Sequence, residues 1–332
     1  MKRMKIERCR NKLGFIDLNK LKNYREKGTV VEGSNAKVWF NVDGERFLFK
    51  EYNSVLPCFG EVLYYRAAKA AGIKCAEYDF AVLGDKVGTI SYDFLKENET
   101  YYNFLELTSQ FGDSSFDLEN ISTNKDLLIL QNNKYNNLNS IKDLLSQLFH
   151  VSVDSKKRIE MGLIEMFCLD ALFWHQDRTL WNYGAIVNEE TDDMRLSDIH
   201  DNSYVLCLNR GEEYIEEAIT NIINDGLLDT PRRKVSSFEL YLDGDDSIEQ
   251  LIEFYSNSDE DIRMRIDNVF KSINVDDLVK STLEDCKIGD VAALWVKAVL
   301  KYRGKTILKG LESVKINDDE AVLPNVVFSK RK

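Results

Sequence analysis

Two short polar segments of the chain carry residue types that could take part in chemistry. The segment "HQDRTLWNYG" (175–184) follows a long apolar stretch and contains Asp177 and Asn182. The segment "SDIHDNS" (197–203) contains Asp201. Carboxylate and amide oxygens are hard ligands, of the kind that Mg²⁺ binds together with water and phosphate oxygens. We therefore predict that Asp177, Asn182 and Asp201 come together in a site suited to Mg²⁺.

A predicted β-hairpin would bring these three residues together. The segments "AIV" (185–187) and "MRLSDI" (194–199) are separated by the polar stretch "NEETDD". This pattern is typical of two strands joined by a turn. The second strand would lead Asp201 back to the loop that holds Asp177 and Asn182.

The chain after about residue 96 is otherwise dominated by helical patterns. Residues 157–174 are apolar almost all round, which predicts a central buried helix. Within this helix, Asp170 is predicted to brace the loop that follows or to be a satisfied buried acid. We predict a mostly helical domain over residues 96–313 and a tail over residues 314–332.

Residues 1–95 predict a small β-rich domain with one helix. The predicted strands cover residues 29–32, 37–42, 45–50, 78–83 and 86–94. The dipeptide "DG" at 43–44 is a strong two-residue hairpin signal. The alanine-rich segment 60–72 predicts a helix with Gly72 placed to end it.

This β-rich part supplies candidate groups for binding a nucleotide. The turn "GSNA" (33–36) lies between two predicted strands, where its backbone N–H groups could close over phosphates. Lys50 ends a strand and could reach those phosphates, and Glu61 in the next helix could hold Lys50 in place. The candidate nucleotide contacts are Gly33, Ser34, Asn35, Lys50, Glu61, Tyr92 and Phe94.

The order of these elements matches the template for phosphoryl transfer. In that template one Asp orients the attacking hydroxyl, while an Asn and a second Asp hold metal ions that neutralise charge on the phosphates. The match predicts an α+β, two-lobed, protein-kinase-like fold that uses ATP and Mg²⁺. Taken alone, "GSNA" is more often an ordinary turn, Lys50 a solvated strand-end lysine, and Glu61 a favourable charge at a helix N-terminus.

The segments "HQDRTLWNYG", "SDIHDNS" and "RFLFKEY" resemble the motifs of the HipA-like serine/threonine kinase family, over roughly residues 30 to 205. The resemblance is closest to the short, single-domain CtkA-like members. It implies that Asp177 is the catalytic Asp, that Asn182 and Asp201 bind metal, and that Lys50 binds ATP. It also implies phosphorylation of Ser or Thr in a protein substrate, and autophosphorylation of a loop serine, here Ser34, that would switch activity off. Thr179 stands where many members have His.

Other functions remain compatible with these residues. The first alternative is a small-molecule kinase, because aminoglycoside and choline kinases use a similar HxDx4N loop. A lipid kinase is a weaker third choice, since no basic amphipathic surface helix is apparent. The last alternative is an ATP-binding pseudokinase or interaction module. The retention of Lys50, Asp177, Asn182 and Asp201 argues against it.

Composition limits the possible partners. The 332 residues carry a formal net charge of −12, so direct binding of nucleic acid is not expected. The N-terminus lacks the apolar region of a signal peptide, and no stretch approaches the roughly 20 apolar residues of a membrane span. Six scattered cysteines without a CxxC pair predict reduced thiols. We expect a cytoplasmic protein, with export by a signal-less route left open. Its expected partners are a protein substrate and an antitoxin-like protein, neither of them identified.

Overall fold

The computed structural model describes residue 6 and residues 9–24, 36–111, 138–148, 150–224 and 247–322. Within these residues the chain is mixed α+β, with a five-stranded sheet in the N-terminal part and mainly helices after it. The predicted strand 29–32 and the residues Gly33, Ser34 and Asn35 lie outside the described residues, so their predicted roles stay predictions.

The five-stranded sheet carries the first part of the site. Its strands are β1 (Ile16–Asp17), β2 (Lys37–Val42), β3 (Glu45–Tyr52), β4 (Tyr78–Leu83) and β5 (Lys86–Tyr92), in the order β1-β4-β5-β3-β2. The predicted hairpin between β2 and β3 is confirmed: Asp43 and Gly44 both have positive φ, 55° and 84°. Two positive φ values are what a type I′ turn needs, and its twist matches that of the strands. The hairpin sets Lys37 directly opposite Lys50.

One helix, α1 (Val55–Ala70), packs against this sheet. The predicted start at residue 60 is wrong by five residues, because Pro57 is tolerated in the first turn of a helix, where its missing N–H is not needed. The predicted end is confirmed, since Gly72 adopts φ +71° and its N–H donates to the carbonyl of Lys69. The earlier start places Glu61 in the second turn, where it is fully buried.

The central buried helix predicted over 157–174 is observed as α4 (Val153–Phe173), after α2 (Phe104–Phe111) and α3 (Ile141–Ser146). It ends at Trp174, whose left-handed conformation turns the chain into the segment 175–184. The predicted hairpin then follows as β7 (Gly184–Asn188) and β8 (Met194–Leu196). The sequence did not predict β6 (Glu99–Asn103), which pairs with β7 and completes a three-stranded sheet.

The remaining helices pack around α4 and one another. They are α5 (Glu212–Asn224), α6 (Ser247–Ser256), α7 (Glu260–Ser272), α8 (Val275–Asp285) and α9 (Asp290–Val322). Helix α9 continues into the segment from residue 314 that was predicted as a tail. All six cysteines are buried and free. Among the described residues, no helix has the length and apolar character needed to cross a membrane.

Candidate active site

Lys50 joins the β-rich part of the chain to the segment that contains Asp201. Its Nζ lies 3.3 Å from Glu61 Oε1 and 3.4 Å from Ser203 Oγ, and it forms an ion pair with Asp201 Oδ1. The side chain is 10% exposed. Burial acts to lower the pKa of Lys50, but the charges of Glu61 and Asp201 outweigh it and hold that pKa above its usual range. The ammonium group is therefore held in position and is charged near pH 7.

Glu61 is held from two sides. Its Oε2 accepts a 2.6 Å hydrogen bond from Thr89 Oγ1 on β5, while its Oε1 faces Lys50. The carboxylate is fully buried in the second turn of α1, so it does not serve as an exposed charge at the helix N-terminus. The buried charge is offset by its partners, as a buried carboxylate requires.

Asp201 follows β8 and is the second carboxylate that forms an ion pair with Lys50. Its φ of 57° is in the left-handed region, and its backbone N–H donates a 3.0 Å hydrogen bond to the hydroxyl of Tyr78. Burial acts to raise the pKa of the Asp201 carboxyl, but Lys50 outweighs it and holds that pKa well below its usual range. The side chain is 36% exposed, so an ionised carboxylate is available to a ligand.

Asp177 lies in a loop that Asn182 closes. The side-chain amide of Asn182 donates to the backbone carbonyl of Asp177, and its Oδ1 accepts a 2.8 Å hydrogen bond from the N–H of Thr179. Asp177 itself is exposed. Partial loss of water around this accessible carboxyl and the nearby charge of Asp201 raise its pKa, against the opposing effect of Arg178 and Lys50. Asp177 and Asp201 therefore share one electrostatic environment.

His175 connects the two loops. Its Nδ1 accepts from the backbone N–H of Asp177 at 3.2 Å, so the ring proton is on Nε2, which lies 3.3 Å from the backbone carbonyl of Asp201. Burial and the charge of Arg178 lower the pKa of His175 to about 4. The ring is therefore neutral near pH 7 and acts as a fixed bridge between the backbones of Asp177 and Asp201.

Arg178 ties this region to the central helix. Its guanidinium donates to both carboxylate oxygens of Asp170, at 2.8 and 3.0 Å, and also to the carbonyl of His200 and to Asn202 Oδ1. Asp170 accepts a further 2.8 Å hydrogen bond from Tyr64. Burial acts to raise the pKa of Asp170, but Arg178 outweighs it and that pKa is lowered. Asp170 is thus both the brace and the satisfied buried acid that the sequence suggested, whereas the part played by Arg178 was missed.

A cavity of about 320 Å³ lies beside Lys50 and Asp201. Tyr92 and Phe94, two of the predicted nucleotide contacts, line it, and so does Lys37, which the sequence analysis missed. Lys37 also lowers the pKa of Asp201. The sequence did contain a signal for Lys37. This residue begins the strand segment "KVWF", and the turn at 43–44 sets the hairpin register that places Lys37 opposite Lys50. Two lysines at one wall favour an anionic ligand.

The residues of this cavity fit a magnesium nucleotide. No group of three or more His, Cys, Asp or Glu side chains among the described residues forms a metal cage. Mg²⁺ does not need such a cage, because it is usually held by one or two carboxylates with water and phosphate oxygens. Asp201 offers a carboxylate at this cavity, and Lys37 and Lys50 offer positive charge for phosphates. Asn182 does not line the cavity, and its Oδ1 accepts a hydrogen bond from the N–H of Thr179, so its role as a metal ligand stays a prediction. The cavity volume falls in the range of about 300–1,000 Å³ typical of ligand sites.

Comparison with known proteins gives a fold match. No protein-family model and no curated protein matches the sequence. The crystal structure of the Helicobacter pylori proinflammatory kinase CtkA matches with a TM-score of 0.62 and 14% sequence identity, over 85% of this chain and 95% of that one. A chain from the Shewanella oneidensis MR-1 toxin–antitoxin complex of HipA, HipB and operator DNA matches with a TM-score of 0.40 and 14% identity, over 89% of this chain and 69% of that one. The chain therefore has the fold of CtkA, and the predicted kinase-like α+β fold is confirmed.

Proposed function

We propose that this protein is an ATP- and Mg²⁺-dependent kinase that phosphorylates serine or threonine in proteins and also phosphorylates itself. The observation that carries the proposal is the position of Lys50, which contacts Glu61 on one side and Asp201 on the other, at the wall of the 320 Å³ cavity. The order of groups along the chain and the fold shared with CtkA support it.

Each group has a distinct part in the proposed reaction. Lys50, aligned by Glu61, holds the phosphates of ATP, and Lys37 adds a second positive charge to the same wall. Asp201 and Asn182 hold Mg²⁺, which supplies charge neutralisation at the phosphates when it is bound. The two ion-pair partners of Lys50 keep the lysine charged and rigid, so little reorganisation is needed at the moment of transfer.

Asp177 is the group that acts on the acceptor hydroxyl. It is exposed, its pKa is raised by partial desolvation and by the charge of Asp201, and its backbone is fixed by His175 and Asn182. A carboxylate so placed orients the hydroxyl and receives its proton. General base catalysis of this kind contributes about 10²–10⁴ in rate.

The test is transfer of the γ-phosphoryl group from labelled ATP with Mg²⁺. Wild type and Asp177→Asn are incubated alone, with a mixture of generic protein substrates, and with a panel of aminoglycosides and choline. The proposal predicts label on serine or threonine of protein, itself included, and a loss of at least about 100-fold in Asp177→Asn. Label only on a small molecule would support the alternative kinase class. Absence of label from every acceptor, with ATP still bound, would indicate a pseudokinase and contradict the proposal.

A further inference from the structure

A second cavity, of about 510 Å³, lies among the end of α1, the first half of α4, strand β8 and helix α7. It shares no lining residue with the cavity that contains Lys50 and Asp201. Its wall includes Ile199, whose backbone N–H donates to the carbonyl of Lys74. The cavity is large enough for a small organic ligand.

The wall of this cavity is positively charged, although the protein as a whole carries a net charge of −12. Its charged lining residues are Lys74, Lys157, Arg158, Arg195 and Arg265 against Asp154 and Glu165. The three arginines have carboxylate partners: Arg265 pairs with Glu165 at 2.5 Å, Arg158 with Asp193, and Arg195 with Asp198 at 2.8 Å.

Lys74 and Lys157 are the two cations left over. Both are exposed, and neither forms an ion pair with any residue that the structure describes. Unpaired lysines on a convex surface are ordinary, but these two line one cavity. An anion that enters the cavity is attracted by both lysine side chains at once, in addition to the paired arginines.

The same cavity has apolar and hydroxyl surface beside its charges. Ile73, Met161 and Leu196 line it. Ser197 also lines it, and this residue is 2% exposed with an Oγ that finds no hydrogen-bond partner within the described part of the chain. A buried hydroxyl without a partner is unfavourable, and rotation about χ1 can turn it toward an acceptor.

We propose that this cavity is a binding site for a small organic anion, of which a phosphate monoester with an apolar body is the best match. Lys74 and Lys157 attract the two negative charges that a phosphate monoester carries above its second pKa of about 6, and they outnumber Asp154, the one lining carboxylate that none of the three arginines pairs with. The apolar residues contact the body of the ligand, and Ser197 donates to a phosphate oxygen. The proposal goes beyond the proposed kinase activity and does not depend on it.

The test is isothermal titration of the full chain with phenyl phosphate, and with benzoate and inorganic phosphate for comparison. We expect saturable binding of phenyl phosphate with a Kd on the order of 1 mM or tighter. Benzoate carries one charge and should bind several-fold more weakly. Inorganic phosphate lacks the apolar body and should also bind more weakly. Benzoate binding tighter than phenyl phosphate would overturn the choice of phosphate.

Variants locate the binding. Lys74→Ala/Lys157→Ala should weaken phenyl phosphate binding by at least about tenfold, because each removed group makes a charge-assisted contact. The matched control is Lys280→Ala/Lys287→Ala, which removes two exposed lysines that do not line the cavity and should leave the Kd unchanged. Equal weakening in both double variants, or no saturable binding by wild type, would overturn the proposal. Loss of binding in Lys50→Ala but not in Lys74→Ala/Lys157→Ala would place the anion in the first cavity and overturn it as well.

Discussion

Replacing Arg178 by Met should destabilise the fold around Asp170 and Asp177 by an amount that can be worked out from the contacts of Arg178. The Arg178 side chain is 3% exposed and the Asp170 side chain is 8% exposed. Arg178→Met preserves the apolar volume but removes every donor. It leaves the carboxylate of Asp170 buried with Tyr64 as its remaining hydrogen-bond donor among those described above.

The expected magnitude follows from the burial of the pair. Removing one partner of a buried ion pair costs about 3–5 kcal/mol, because an uncompensated charge remains. The carbonyl of His200 and the side chain of Asn202 also lose a donor, which adds to the cost. The total is a large fraction of the roughly 5–15 kcal/mol by which a protein is stable. We therefore expect the free energy of unfolding of Arg178→Met to fall by at least about 4 kcal/mol.

Urea denaturation followed by circular dichroism measures this loss. The matched control is Arg195→Met, because Arg195 is likewise ion-paired, with Glu99 and Asp198, but its side chain is 23% exposed. Partly exposed pairs contribute about 1 kcal/mol or less, so this variant should lose little. The double variant Asp170→Asn/Arg178→Met should be more stable than Arg178→Met alone, since it removes the unpaired charge. The reasoning is refuted if Arg178→Met loses no more stability than Arg195→Met, or if Asp170→Asn gives no recovery.

Three further predictions follow from the site. The pKa of His175 falls from 6.5 in the unfolded chain to about 4 in the fold, so its contribution to stability is complete above pH 6.5 and is lost as the pH falls toward 4. Urea titrations at pH 7 and pH 4 should therefore show that the free energy of unfolding falls by roughly 3 kcal/mol through this group. The variant His175→Gln should lack that part of the loss. Glu61→Gln should lower kcat/KM for ATP by about 10- to 100-fold through poorer alignment of Lys50. The control Glu51→Gln alters only the more exposed pair with Lys86 and should change kcat/KM by less than about twofold. Gly88→Ala should destabilise the sheet by about 1–3 kcal/mol in thermal or urea unfolding, because its Cβ would lie 2.2 Å from the carbonyl oxygen of Lys50; an unchanged stability would show that the strands can move apart freely.

Local signals explain why much of the N-terminal part could be predicted from the sequence. The "DG" turn specified the hairpin that ends at Lys50, and Gly72 specified the end of α1. The start of α1 was misplaced because the alanine-rich segment chosen for the prediction began at Gly60 and left out Pro57. In the structure both lie inside the helix.

The interactions that position the site are long-range, and a sequence pattern does not reveal them. Strand β6 (Glu99–Asn103) is short and polar, and it exists because it pairs with β7 some eighty residues later. Arg178 looked like one more polar residue in the loop, since nothing local shows that it reaches Asp170 and Asn202 at once. That Asp177 and Asp201 lie close enough to interact could be predicted, because the hairpin between them is a local signal.

The most direct test of the central claim compares Asp177→Asn with Asp201→Asn in two assays, Mg²⁺-dependent ATP binding and phosphoryl transfer. In the proposed reaction Asp201 binds the metal and Asp177 acts on the acceptor hydroxyl. Both variants should therefore lose at least about 100-fold in transfer, but only Asp201→Asn should lose the Mg²⁺-dependence of ATP binding, while Asp177→Asn binds Mg·ATP as wild type does. Full transfer activity in either variant, or equal loss of Mg²⁺-dependent binding in both, would contradict the account.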